Sequence, residues 1–587
     1  MLNAFKLHAN RTRQKLRGFG RGSKKWWKVS HQLLSHVHKP TSSPLKRPDG
    51  TWALSAGAKA DLFARAFNQK WRLPAPVVNE FSDCSSVMIS PRRWQACVIR
   101  TRSARAALSS LRQDSGTGPD LLPARVLKQC SASLAVPVAK LARLILRSGL
   151  WPLPWREHWV HPLYKKLAVS CPDNYRGIQL TAQLSKVVER MFLQLFSPQL
   201  DRFGAYGARQ FAYTPGRGAR DAVLYFVLQC ISAFTSGRRV LLYCSDVSGA
   251  FDRVDVPRLL AKLRGFSVPE SVVGVLASWL EQRTARVIVQ GKHSAPVRME
   301  NMIYQGTVLG PPLWNAFYSD SCMAVRATGF EEIVYADDLN AIRSVEISVT
   351  DDQAHRMMAE CQTSLHRWGA ANRVVFDPGK ESTHILSRSR PWGDSFKLLG
   401  IIFDTRFLMH EAILACVSDC GWKIQSLLRC RRFYNSADIL LLYKAQVLSF
   451  IEYRTCAFHF ASSSVLAPLD AIQHSFLRSL NISDLDALNH FALAPLCARR
   501  DIAMLGVIHR SVLGLSPRHF ASFFRSAPPP PPRSPRRHAR HLADPLQLRA
   551  PDFARRSVLG LVSVYNLLPD MWSLLRQFTN FNIVCKL

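Results

Sequence analysis

Apolar and polar positions along the chain switch between two periods. From residue 255 to 280 the spacing is helical: Asp255 and Pro257 open a first helix that Gly265 ends. Ser267 to Glu270, with Pro269, then opens a second helix whose apolar stripe is Val272, Val273, Leu276, Trp279 and Leu280. Strand patterns fall at Arg239 to Cys244, at Arg286 to Val289 closed by a Gly291-Lys292 turn, and at Ile333 to Ile342. Helical spacing returns from Ile424 to Phe450, and no internal repeat stands out. The middle of the chain is therefore predicted to be α+β, with acidic residues concentrated at strand ends. A break follows at Ala527 to Pro535, where Pro528 to Pro532 are unbroken and Arg533, Arg536, Arg537 and Arg540 come after. That composition predicts an extended, basic polyproline linker over 527–541 and a short helical tail over 542–587.

Composition adds a partner class. The 587 residues leave room for about three or four compact units, and 47% hydrophobic residues can bury sizeable cores. Lys and Arg number 78 against 41 Asp and Glu, a formal charge of +37, which calls for a polyanion and makes an ordinary metabolic enzyme improbable. Residues 1–50 hold twelve Lys/Arg against Asp49 alone, and Arg525 to Arg556 hold eight Arg against Asp544 and Asp552, so 17 of the +37 lies in the flanks. Trp26 and Trp27 sit inside the first basic stretch. They suit a surface that tracks a nucleic-acid backbone and stacks bases, the rival reading being a solvated tail or nuclear-import patch. The fourteen cysteines form no CxxC pair, and the closest spacing, Cys416 and Cys420, lacks a second ligand pair, so zinc is not expected and a reducing, intracellular compartment is. No apolar run reaches about 18 residues. The nearest, Ser557 to Leu575, contains Pro569 and Asp570, so no membrane partner is expected.

Two stretches carry chemistry. Val240 to Asp252 is an apolar strand ending in the carboxylate of Asp246, followed by a small-residue turn, Phe251 and Asp252. Ile333 to Ile342 is an apolar stretch interrupted by Asp337 and Asp338, 91 residues downstream of Asp246. Side chains alternate along a strand, so adjacent acids can share a direction only in a hairpin turn. Half-buried neighbouring carboxylates repel unless a cation neutralises them, and Mg²⁺, which takes oxygen ligands and shares phosphate oxygens, fits. Three carboxylates on two neighbouring strands can hold two metals roughly 3.5–4 Å apart, the arrangement for in-line phosphoryl transfer to a 3′-hydroxyl. A solvated turn is the plain alternative for an isolated Asp-Asp pair. The apolar flanks and the matching acid upstream weigh against it.

Tyr335-Ala-Asp-Asp338 resembles the signature of reverse transcriptases, and Asp246 with Phe251 resembles the first catalytic motif of the same family. Between them, Gln305-Gly-Thr-Val-Leu-Gly-Pro-Pro-Leu-Trp-Asn315 is similar to its template- and nucleotide-gripping motif. The likeness extends to Gly116-Thr-Gly-Pro-Asp120, His161 to Lys166, Asn174 to Leu180, Ser185 to Arg190, Gln210 to Arg217, Trp368 to Ser382 and Phe396 to Ile402, roughly residues 50–510. It is greatest to the polymerases of non-LTR (LINE-type) retrotransposons. The resemblance implies a right-hand polymerase with an antiparallel palm sheet and a helical thumb. Its parts would be a basic arm at 1–50, an N-terminal extension and fingers at 51–238, a palm at 239–405 and a thumb or connection at 406–526. It implies an RNA-directed DNA polymerase with two Mg²⁺ ions, Mn²⁺ being a substitute, held by Asp246, Asp337 and Asp338. Phe251 would stack beneath the incoming sugar and clash with a 2′-hydroxyl, Lys165 or Lys166 and Arg176 would hold the triphosphate, Gln305 and Gly306 would let template and nucleotide approach, and Lys380 would protonate pyrophosphate. Partners would be an RNA template, a DNA primer or target and deoxynucleoside triphosphates, at a nuclear site.

Two positions depart from the family pattern: Gly177 stands where proline is usual, and Trp314 where a small residue is common. About a hundred residues precede the fingers-like segment, too few for a nuclease domain of typical size, so an endonuclease supplied separately is expected. Rival readings are an inactive or degraded element copy, an RNA-binding scaffold that keeps the polymerase fold, and a telomerase- or maturase-type branch. The scaffold reading predicts loss of the acids, and all three are present.

Overall fold

The computed structural model describes residues 2–34, 43–75, 94 and 98–524. The linker at 527–541 and the tail at 542–587 lie outside the described residues. The strands that position the site are β1 (Glu157–Tyr164), β2 (Tyr175–Leu180), β3 (Arg239–Ser245), β4 (Arg283–Val289), β5 (Glu331–Tyr335), β6 (Asp338–Val345) and β7 (Ser382–Leu386). They form two sheets. In one, the order is β7-β3-β6-β5, antiparallel throughout. In the other, β1 pairs antiparallel with β2 and parallel with β4, and short strands at Lys292–His293 and Val297–Met299 flank β4.

The expected helices and strands are present with small shifts. One helix spans Val256–Gly265, its N-terminus capped by the Asp255 carboxylate, which accepts from the Arg258 N–H at 3.1 Å. The next spans Glu270–Leu280 and buries Val272, Val273, Leu276, Trp279 and Leu280. β4 starts at Arg283, three residues before the apolar pattern does, because the Arg283 side chain is itself buried beneath Trp279 and Tyr304. The single strand pattern at Ile333–Ile342 resolves into the hairpin of β5 and β6.

β3 reads as continuously apolar because it is covered on both faces. Leu241 and Tyr243 belong to one core, together with Met358, Leu365 and Trp368 from the helix Asp351–Asn372. Val240 and Leu242 face the other, with Val223, Phe226 and Val227 from the helix Ala219–Thr235 and Ile413, Cys416, Cys420 and Ile424 from the helix His410–Cys430. Cys416 and Cys420 are thus buried packing residues. At roughly 1.5–3 kcal/mol for each fully buried aliphatic side chain, this two-sided burial fixes β3 firmly in the middle of the molecule.

The basic arm does not offer both of its tryptophans for stacking. Helices α1 (Leu2–Arg17) and α2 (Lys24–Leu34) lie on the C-terminal helical region. Trp26 is 1% exposed, 5.8 Å edge-on to Tyr434, and Arg21 pairs with Asp438 at 2.6 Å. The outward positions Lys15, Arg17, Lys24, Lys25 and Lys28 are exposed, so the arm is amphipathic, and its apolar side is spent on packing. Trp26→Ala should cost about 3–5 kcal/mol and make residues 1–34 the first site of limited proteolysis. A variant as resistant as the parent would contradict the docking.

Candidate active site

β3 delivers Asp246 immediately after its last residue. Asn340 lies opposite Cys244 and Leu339 opposite Ser245, so the same register carries Asp338 to a place opposite Asp246. Tyr335 pairs with Asp338, which leaves Ala336 and Asp337 as a two-residue turn with Ala336 at φ 61°. A residue bearing a Cβ pays roughly 1–2 kcal/mol to sit there, and three side-chain hydrogen bonds hold it. The Gln210 amide accepts from the Ala336 N–H at 2.9 Å and donates to the Ala336 carbonyl at 3.1 Å. The Trp314 indole N–H donates to the same carbonyl at 2.9 Å.

Beside this turn lies a cleft of about 630 Å³. Asp246 and Asp337 line it, with Phe251, Gln305, Gly306, Lys165, Arg176 and Lys380. Asp338 faces a neighbouring cleft of about 1050 Å³, with Ser382, His384, Phe396 and Lys397 on its walls, and Asp246 and Lys380 stand between the two. Lys166 lines neither. Lys165 and Arg176 come from the end of β1 and from β2, so the cations face the acids across the cleft. Burial, then the neighbouring Arg176, lowers the Lys165 ammonium.

Phe251 is half-buried. One face stacks on Trp314 at 5.6 Å and 24°, and Tyr213 meets it edge-on at 6.1 Å. Gly306 has φ 108°, and a Cβ there would lie 2.6 Å from the Gln179 carbonyl oxygen, so only glycine fits. The loop after it is held by Glu189, a fully buried carboxylate that accepts from the N–H groups of Val308 at 2.8 Å and Leu309 at 3.3 Å, at the start of the helix Gly310–Tyr318. Gly177 has its own reason: a Cβ there would come within 2.9 Å of Val160 and 3.4 Å of the Phe67 ring. Gln210, Trp314, Tyr213 and Glu189 were given no role from sequence. The signal available was that each lies inside or beside a motif-like stretch and is polar or aromatic where bulk packing does not require it.

Burial, then the charge of Asp246, raises the Asp337 carboxyl, and the same causes push Asp338 up to about 7. Asp252, half-buried on the cleft wall and accepting from the Gln305 amide at 3.2 Å, is pushed by burial to about 6. Lys380 lies against Asp246 and, at 3.0 Å, Asp377. Burial opposes its charge, but the two carboxylates hold its ammonium above the usual lysine range. Among the described residues, no three His, Cys, Asp or Glu side chains close around a single point. The donors are nonetheless all hard oxygens, and the two carboxyls are raised by burial first and by the charge of Asp246 second, both of which a hard divalent cation relieves.

Residues 164–403 match the family described as reverse transcriptase (RNA-dependent DNA polymerase). The chain is 23% identical over 489 residues to the "RNA-directed DNA polymerase from mobile element jockey" of Drosophila melanogaster, covering 78% of this chain and 52% of that one. It is 25% identical over 395 residues to the "Probable RNA-directed DNA polymerase from transposon BS" of the same species, covering 64% and 42%. It therefore spans about half the length of the curated relatives it matches. The antiparallel sheet with acids at its turn and the family match define a reverse transcriptase domain. Both relatives are named as RNA-directed DNA polymerases of mobile elements, and each likeness extends over more than half of this chain. Reverse transcriptases generally use divalent metal ions.

A carboxyl raised on folding holds its proton more tightly in the folded state. The stability Asp338 contributes is therefore complete below about pH 4 and is lost as pH rises through about 7, with Asp337 acting in the same direction. Without divalent metal, the melting temperature should fall between about pH 4 and pH 7, and Asp338→Asn should flatten that slope. An unchanged slope in the variant would show that Asp338 is not the strained group.

Proposed function

We propose that this chain is an RNA-directed DNA polymerase that adds deoxynucleotides to a primer 3′-hydroxyl by two-metal phosphoryl transfer. The observation that carries the reading is the placement of Asp337 and Asp338 at the β5–β6 turn, with the register bringing Asp338 opposite Asp246 at the end of β3, beside a cleft whose lining includes Lys165, Arg176 and a half-buried aromatic ring. On this reading residues 51–238 are the N-terminal extension and fingers, 239–405 the palm and 406–526 the thumb of a right-hand polymerase, and the antiparallel β7-β3-β6-β5 sheet is the palm sheet.

Asp246, Asp337 and Asp338 would hold two Mg²⁺ ions, which supply the charge that activates the 3′-hydroxyl and steadies the leaving pyrophosphate. Lys165 and Arg176 face the carboxylates across the cleft and bind the triphosphate by charge-assisted hydrogen bonds. Lys166, outside the lining, adds only longer-range charge. Lys380, held protonated by Asp246 and Asp377, is placed to give a proton to pyrophosphate. The Phe251 ring forms the floor that a 2′-hydroxyl would strike. Gly306 lets nucleotide and template reach the backbone. The substrates are an RNA template, a DNA primer and deoxynucleoside triphosphates, and the remaining excess of basic residues grips the RNA–DNA hybrid with a steep salt dependence. The site of action is nuclear.

Primer extension on an RNA template with Mg²⁺ tests this directly. Asp337→Asn should lower the rate by about 10³-fold or more, the scale of a lost charge-stabilising group in phosphoryl transfer. Extension at the parent rate would refute the two-metal assignment. Phe251→Ala should let ribonucleotides in, and undiminished sugar discrimination would remove that ring from the site.

A further inference from the structure

Trp314 departs from the family pattern, and its surroundings give it a use. It is fully buried and stacked on two rings: on Phe251 at 5.6 Å and 24°, and on Tyr318 at 5.2 Å and 19°. Tyr318 in turn meets Trp368 edge-on at 5.4 Å, and the Trp368 indole donates to Asp320 at 3.1 Å. A ladder of rings thus runs from the cleft floor into the core, and its outermost rung is Phe251. The same Trp314 side chain donates its N–H to the carbonyl of Ala336, the left-handed residue next to Asp337.

We propose that Trp314 is a positioning residue that sets the height of the Phe251 ring and the placement of the Asp337 turn together, so that sugar discrimination and metal-site geometry share one support. The proposal rests on the polymerase reading of Asp246, Phe251 and Asp337. A steric gate works only if the ring cannot recede, because repulsion falls away within a fraction of an ångström. Phe251 is open to the cleft on one side and touched by Tyr213 only edge-on, so its backing is Trp314. The two functions are separable by chemistry: phenylalanine at 314 keeps a stacking ring and loses the N–H, while leucine loses both.

The experiment compares the parent, Trp314→Phe, Trp314→Leu, Phe251→Ala and the Phe251→Ala/Trp314→Leu double variant. Two readouts are taken: the ratio of kcat/KM for a deoxynucleotide to that for its ribonucleotide, and the Mg²⁺ concentration that half-saturates the metal-induced rise in melting temperature. Trp314→Leu should lower the sugar ratio at least tenfold, and the double variant should discriminate no worse than Phe251→Ala alone, since the two changes act through one ring. Trp314→Phe should keep the ratio within about threefold and raise the half-saturating Mg²⁺ several-fold. A purely structural tryptophan would slow both nucleotides equally and leave the ratio untouched, which would overturn the proposal. So would a Trp314→Phe variant whose Mg²⁺ response matches the parent, and this change, which keeps a ring and removes less volume than leucine does, keeps the test open if the leucine variant fails to fold. A parent that extends no primer at all would sink the polymerase reading itself. A parent that extends and discriminates beside an unaltered Trp314→Leu would sink only this inference.

Discussion

The structure turns on one backbone residue. Ala336 must adopt a left-handed conformation in a two-residue turn, because only such a turn allows the adjacent Asp337 and Asp338 to stand near Asp246 instead of on opposite faces of a strand. Its N–H and carbonyl are turned inward, away from water, and each would cost about 1–3 kcal/mol if left without a partner. Gln210 answers both groups with one amide, and Trp314 adds a second donor to the carbonyl. Three stretches far apart in sequence, around residues 210, 314 and 336, are therefore obliged to meet. The cleft is the space they enclose with β1 and β2.

What keeps the acids in place against their mutual repulsion is the sheet behind them. β3 and β6 are each packed on both faces, so the strand ends cannot separate without uncovering two cores at once. The energy of that burial is large compared with the cost of raising two carboxyls. The sheet therefore keeps two raised carboxyls beside Asp246, a cost that a bound cation would relieve. The buried Glu189 side chain holds a second backbone segment, because its acceptance of two N–H groups fixes the loop after Gly306.

Much of this was legible from sequence, for identifiable reasons. Adjacent acids between apolar flanks already imply a hairpin, since no other geometry aligns them, and the β5–β6 turn is that hairpin. The helix at 256–265 announced itself through Asp255 and Pro257. The clamp on Ala336 was not legible, because a glutamine reads as surface until the backbone groups it serves are known. Trp314 stands out only as an oddity, since its stacking partner Phe251, 63 residues upstream, leaves no trace in local periodicity. Trp26 was ambiguous for a related reason: an aromatic among lysines suits either a nucleic-acid surface or an amphipathic helix, and only Tyr434, some 400 residues away, decides between them.

The docking of the arm also changes what the +37 charge means. A basic tail free in solvent would contribute to nucleic-acid affinity mainly as a tether. Helices anchored by Trp26 and Leu16 present Lys15, Arg17, Lys25 and Lys28 on a surface adjoining the C-terminal helical region. Fixed charges repel one another without the option of drifting apart, and exposed ion pairs such as Arg21 with Asp438 return little. The folded arm therefore carries a standing electrostatic cost that a polyanion laid across it removes. Binding and arm stability become linked quantities: whatever neutralises that face also holds the arm to the body of the protein.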